Sequence, residues 1–199
     1  MAKTSNRNRQ LQAKPPRKAE VLGKRIYLAL LKAGDAEEFM ALNRASRCFH
    51  RGLASPPIRA EQFRAQVERS RRPDTVCFVI CRIDDEAIVG AINLSQIFRG
   101  GFQSAYLGYH IGASFARQGY MTEALELVLK YAFDKLKLHR LEANIQPSNR
   151  ASIALVKRAG FVREGFSRRY LKIGGRWRDH ERWAIIAEDW KERASHRTK

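Results

Sequence analysis

A chain of 199 residues, 44% hydrophobic and 29% charged, has the length to bury one core of ordinary size and reads as one globular, soluble domain. A formal net charge of +18 excludes an acidic surface and sets up a field that draws polyanions: nucleic acid, ribosomes or a phosphate-rich ligand. No apolar run approaches a membrane span, no apolar segment marks a secretory signal, and Cys48, Cys77 and Cys81 lack metal-ligand spacing, so a cytoplasmic, reduced protein without metal is expected.

In chain order, residues 1–22 read as a basic, disordered tail. Pro15-Pro16 blocks a helix, and Lys3, Arg7, Arg9, Lys14, Arg17 and Lys18 face only Glu20. Such a tail is expected to add salt-dependent contact with rRNA or the ribosome. The domain follows over 23–190, with a second basic tail at 191–199. Residues 25–31 predict a strand, and 35–46 a helix with Asp35 as N-cap. A charged helix follows at 59–72. Two strands, 75–83 and 87–94, flank an acidic turn, and a further strand runs over 104–112.

Met121, Ala124, Leu125, Val128, Leu129, Ala132, Phe133 and Leu136 then recur at helical spacing and predict a buried helix over 121–136. Residues 140–146 predict a strand with Leu141, Ala143 and Ile145 inward and Glu142, Asn144 and Gln146 outward. A short helix over 149–160 ends at Gly160, and a final hairpin turns at Gly174-Gly175.

The stretch "ARQGYMTEAL", 116–125, joins a strand to the buried helix. The first N–H groups of a helix lack intrahelical partners, and the helix dipole makes that end positive. Gly119 permits close approach of a ligand and Arg117 adds a charge, which together describe a phosphate site. The other reading is a plain turn needing glycine for its backbone. The stretch is neither G-x-x-x-x-G-K-[ST] nor G-x-G-x-x-G, so the common nucleotide fingerprints are absent.

The order strand, glycine turn, amphipathic helix, strand, short helix from Asn and "AGF" resembles the GNAT acyltransferases. "YLGYHIG", "QGYMTEAL", "HRLEAN", "PSNRAS", "AGFVREGF" and "YLKIGGRWRDH" resemble the ribosomal-protein-alanine N-acetyltransferases, RimJ type, within that superfamily. The resemblance implies an α/β (α+β) GNAT fold with a mixed sheet of about six or seven strands flanked by helices. It implies acetyl-CoA as cosubstrate, its pyrophosphate held by the pattern R/Q-x-x-G-x-G/A. Here that pattern falls on Ala116, Gly119 and Met121, of which Gly119 alone meets it. Arg117, Gln118, Tyr120, Met121 and Thr122 complete the expected cradle. Ile111 matches the strand position whose backbone bonds the pantetheine arm, and Asn149 the residue that contacts that arm, N-capping being its alternative role.

Acetyl transfer to an amine needs a base for the amine and an acid for the thiolate. Glu142 is the candidate base, acting through water, against the alternative of a solvent-facing strand carboxylate. Glu164 and Glu123 are the other carboxylates near matching motifs, and Glu123 complements the helix dipole. Ser152 is the candidate acid, against an ordinary first-turn serine. His110 reads as a structural strand histidine. Trp177 and Asp179 read as hairpin packing first and acceptor contact second. The resemblance implies transfer to the α-amino group of a protein N-terminus, a ribosomal protein. The alternatives are acetylation of a small amine or antibiotic, and a non-catalytic ribosome- or RNA-binding protein of the same fold.

Overall fold

Strands rich in β-branched and aliphatic residues account for the centre of the molecule, because helices cover both faces of the sheet they form. The computed structural model describes residues 17–197. Its strands are β1 (Val21–Leu22), β2 (Ile26–Leu30), β3 (Val76–Arg82), β4 (Ile88–Phe98), β5 (Ser104–Ile111), β6 (Arg140–Ile145), β7 (Val162–Ile173) and β8 (Arg176–Ile186). Its helices are α1 (Ala36–Ala45), α2 (Arg47–His50), α3 (Ala60–Ser70), α4 (Tyr120–Lys130), α5 (Arg150–Ala159) and α6 (Ala187–Arg197). The eight strands form one sheet in the order β1-β2-β3-β4-β5-β6-β8-β7. This is the expected GNAT-type α/β architecture with slightly more strands than the sequence suggested.

Alternation sorts the strand residues between two cores. Ile26 and Leu28 of β2, with Phe78 and Ile80 of β3, pack against Leu125, Val128 and Leu129 of α4. Tyr27 and Ala29, with Cys77, Val79 and Cys81, pack against Phe39 of α1 and Phe63 and Val67 of α3. Cys77 and Cys81 are buried thiols, and Cys48 is exposed.

All neighbouring strands are antiparallel except β5 and β6. That parallel pair matches only Ser104, Ala105 and Tyr106 with Arg140, Leu141 and Glu142. Beyond those residues the ladder ends and the strands part.

The structure corrects several element boundaries. The tail expected over 1–22 is already ordered at its C-terminal end: Val21 and Leu22 pair with Leu28 and Tyr27, and Arg17 reaches Asp35 and Glu38. Residues 1–16 lie outside the described residues. Asp35 closes a 3₁₀ turn ahead of α1, where it accepts the Lys32 N–H at 2.8 Å and Arg17 at 3.0 Å. The expected 121–136 helix starts at Tyr120 and finishes as a π turn over Tyr131–Lys135, with Leu136 N–H on the Tyr131 carbonyl. Most of the expected C-terminal tail is instead α6. One aromatic anchors that helix: Trp190 packs on Phe133 with ring centroids 5.4 Å apart.

Asn149 caps α5 by accepting the Ser152 N–H at 3.2 Å. Gly160 ends it in the left-handed region at φ 99°, where an added Cβ would lie 2.5 Å from Arg193 Nε. Gly160→Ala is therefore expected to destabilise the fold by about 1–2 kcal/mol, read from chemical denaturation. An unchanged midpoint would show that the α5–α6 junction adapts freely.

Candidate active site

Where β5 and β6 part, Tyr109, Ile111, Ala143 and Ile145 open onto a cavity of about 660 Å³ that runs from the start of α4 past α5 to α2. A sheet gap of this kind leaves strand backbone groups without ladder partners, so the space is both apolar-walled and hungry for hydrogen bonds. His50 takes one of those groups: its Nε2–H donates to the Ile111 carbonyl at 2.9 Å.

The floor at the start of α4 follows from local backbone geometry. Arg117 and Gly119 both have positive φ, 62° and 84°, and Gly119 is the N-cap without a side-chain capping bond. Glu123 N–H is the first to reach back, onto the Gly119 carbonyl at 3.1 Å. The N–H groups of Tyr120, Met121 and Thr122 thus have no intrahelical acceptor and supply donors at the positive end of the dipole. Arg25 braces this turn, donating to the Gln118 carbonyl at 3.1 Å and lying 4.8 Å over the Tyr120 ring. Glu123 ties the β1–β2 turn to it by accepting the Lys24 and Arg25 N–H groups at 2.6 and 2.9 Å. A shallower depression of about 510 Å³, bordered by Lys24, Arg25, Glu123 and Arg158, adjoins the cavity at Gly119 and Thr122.

The cavity gathers most of the residues singled out in the sequence. Arg117, Gly119, Tyr120, Met121 and Thr122 line one end, and Ile111, Asn149 and Ser152 line its length. Gln118 is turned away, its amide donating to the Ser114 carbonyl at 2.7 Å. Glu142 is not among the lining residues. It is buried on β6 between Arg140 at 2.9 Å and Arg182 at 3.8 Å. The outward face expected for Glu142 and Gln146 is covered, and both side chains are buried. Arg140 also grips Glu164 and holds that carboxyl below its ordinary range. Asp179 accepts the Arg169 N–H at 2.7 Å within the β7–β8 hairpin, and Trp177 is exposed.

Sequence reading passed over four polar groups of this wall. Tyr109 presents a buried phenol with no hydrogen-bond partner, and burial pushes it up to about 12 against a smaller opposing effect of Ser152. Asn144 has an unpartnered buried Oδ1. His50 comes from α2, a helix too short to show periodicity. His180 sits in "RWRDH", where its neighbours drew attention instead. His110, noted only as structural, is held in one tautomer: Asn43 donates its amide to the Pro57 carbonyl at 2.9 Å, so its Oδ1 must accept from His110 Nε2–H at 3.1 Å.

The charge pattern is one-sided. Arg117 and Arg158 line the cavity, and no Asp or Glu among the described residues does. His110 and His180 do not add to the positive charge. Enclosure by protein, and then His50 with ring centroids 5.5 Å away, pushes His110 down to about 3. Burial also lowers His180. No cluster among the described residues has the composition to hold a metal, and no helix among them is long and apolar enough to cross a membrane.

Residues 25–162 match the family described as Acetyltransferase (GNAT) domain. The chain is 37% identical over 177 residues, 84% of its length and 97% of the relative's, to the Probable N-acetyltransferase YjcK of Bacillus subtilis. It is 41% identical over 107 residues, about half of each chain, to the [Ribosomal protein uS5]-alanine N-acetyltransferase of Escherichia coli. Mycobacterium smegmatis RimJ, solved in complex with CoA-disulfide, superposes with a TM-score of 0.79 at 28% identity, covering 86% of this chain and 87% of that one. The chain belongs to the GNAT acetyltransferase family, as an N-acetyltransferase with acetyl-CoA as cosubstrate.

The depressed His110 makes a pH prediction. An unfolded ring near 6.5 takes up its proton before the folded one near 3, so stability present above pH 6.5 is lost as pH falls between those values. At pH 5 the wild type is expected to lose about 2 kcal/mol that His110→Gln, which keeps a donor toward Asn43, does not lose. Urea melts of both proteins at pH 7.5 and 5 decide it, and parallel losses would refute the assignment.

Proposed function

We propose that the chain transfers the acetyl group of acetyl-CoA to the α-amino group of a protein N-terminus, that of a ribosomal protein. The observation that carries the reading is the cavity charge: Arg117 and Arg158 present, and carboxylates absent from the wall among the described residues. An α-amine ionises near 8, so a useful fraction is neutral at physiological pH without a strong base. Lysine-like amines and polyamines ionise near 10 and carry charges that this wall does not neutralise. The relatives named for ribosomal-protein alanine point the same way, and such an acceptor places the reaction in the cytoplasm.

The residues present fit the cosubstrate. Free N–H groups at the start of α4, the left-handed Gly119 and Arg117 would hold the pyrophosphate. The adjoining depression, where Lys24, Arg25 and Arg158 stand beside Glu123 and Glu126, would lengthen the binding surface. The gap between β5 and β6 would take the pantetheine arm, with the Ile111 carbonyl already engaged by His50 and Asn149 at the side. When bound, acetyl-CoA supplies an activated thioester. Ser152, which lines the cavity beside the buried Tyr109 phenol, is the acid of this reading and would donate toward the leaving sulfur. Glu142, already held by two arginines, is left out of the chemistry.

Calorimetric titration with acetyl-CoA tests the site. Micromolar binding is expected for the wild type and its loss in Gly119→Glu, which places bulk and negative charge beside Arg25. Acetylation of peptides beginning with alanine, in preference to spermidine or an aminoglycoside, tests the acceptor. The opposite preference would overturn the peptide reading, and absence of acetyl-CoA binding would leave a ribosome- or RNA-binding role.

A further inference from the structure

The cavity offers three imidazoles and no carboxylate as proton acceptors. Two of them are closed off: the one free nitrogen of His50 is fully buried, and the His110 ring is enclosed by protein. His50 donates through Nε2, and its Nδ1 is buried without any partner. His110 donates through Nε2 to Asn43 and is enclosed to the point of being a very weak base. His180 differs. Its Nδ1 lies 3.0 Å from the Arg178 carbonyl. A carbonyl can only accept, so Nδ1 carries the hydrogen and the Nε2 lone pair is free. Nε2 makes no hydrogen bond with any described residue, while the ring lines the cavity.

We infer that His180 is the catalytic base that accepts the proton of the attacking amine, its Arg178 bond fixing the tautomer that makes this feasible. The inference rests on the peptide-acetylation reading. In the step, the amine nitrogen forms a bond to the thioester carbonyl carbon and the carbon–sulfur bond breaks. The proton on the amine passes to His180 Nε2 and on to water, and the departing thiolate takes up the Ser152 hydroxyl proton, which water restores to Ser152. The products are the N-acetylated amine and free thiol, with charge and atoms balanced.

The groups around the ring define its titration. Asp179 precedes it on β8, and Arg182 follows on the same face. Ser167 is its register partner on β7, and Tyr170 of that strand packs edge-on with centroids 6.1 Å apart. From the parted strands, His110, Asn144 and Gln146 share the cavity, Gln146 being turned onto the Gly52 carbonyl at 2.8 Å. Asp179 favours the protonated ring, and burial, the larger effect, disfavours it. The net result lowers His180, so the ring is neutral and able to accept at neutral pH.

His180→Asn separates catalysis from packing, because the Asn amide nitrogen takes the place of Nδ1 and keeps the donation to Arg178 while Nε2 disappears. With an alanine-initiated peptide and acetyl-CoA, this variant is expected to lose about a hundredfold in kcat. Its acetyl-CoA Kd and melting temperature should stay at wild-type values, and added imidazole should restore part of the rate. Wild-type kcat should fall as pH drops through an ionisation below 6.5, and that limb should be missing from the variant. Wild-type kcat and an intact acid limb in His180→Asn would overturn the assignment alone. A wild type that binds acetyl-CoA and acetylates no peptide would overturn the peptide reading, and the base with it.

Discussion

The parting of β5 and β6 is the constraint on which the rest of the molecule depends. Three residues on each strand pair in parallel, and then the ladder stops inside the sheet. A ladder broken mid-sheet strands polar backbone groups in an otherwise apolar interior, which is unfavourable unless another donor or acceptor fills the space. His50 satisfies one of these groups on the Ile111 carbonyl, and a chain of ligand amides would suit the others. The helices that flank the gap supply what the ends of a long, phosphorylated cosubstrate need.

Charge divides that space into unlike regions. The α4 end combines helix dipole, unpaired N–H groups and Arg117, all favourable to phosphate. Farther along, the wall carries imidazoles kept neutral by enclosure and a phenol kept protonated by burial. The carboxylates nearest the site are spent on architecture. Glu123 gathers backbone N–H groups of the β1–β2 turn, and Glu142 and Glu164 share Arg140. With those groups committed, the polar atoms of this wall that the fold leaves without partners are the Tyr109 hydroxyl, Asn144 Oδ1 and His50 Nδ1.

Much of this was legible along the chain, and the physical reasons differ by element. The apolar face of α4 repeats without interruption, so burial alone predicts it. Gly119, Asn149 and Gly160 mark positions that local backbone geometry imposes, and all three perform as caps. The phosphate-type turn needed only a strand, a glycine and a helix start. Strand 140–146 was found, but the covered state of Glu142 was not, because the arginines that bind it come from its own strand and from β8. The helical C-terminus escaped for a similar reason, since Trp190 finds Phe133 across the fold.

The sequence by itself determined most of the elements between β2 and β8, the family resemblance and the glycine turn at the start of α4, because those depend on interactions between residues close in the chain. Tertiary structure decided which side chains are free to act. Glu142 is occupied by ion pairs, and His180 lines the cavity with its Nδ1 bonded to the Arg178 carbonyl. Arg140 lies two residues from Glu142 on one strand, but the burial of that pair and the approach of Arg182 and Glu164 depend on strands that only the fold brings together.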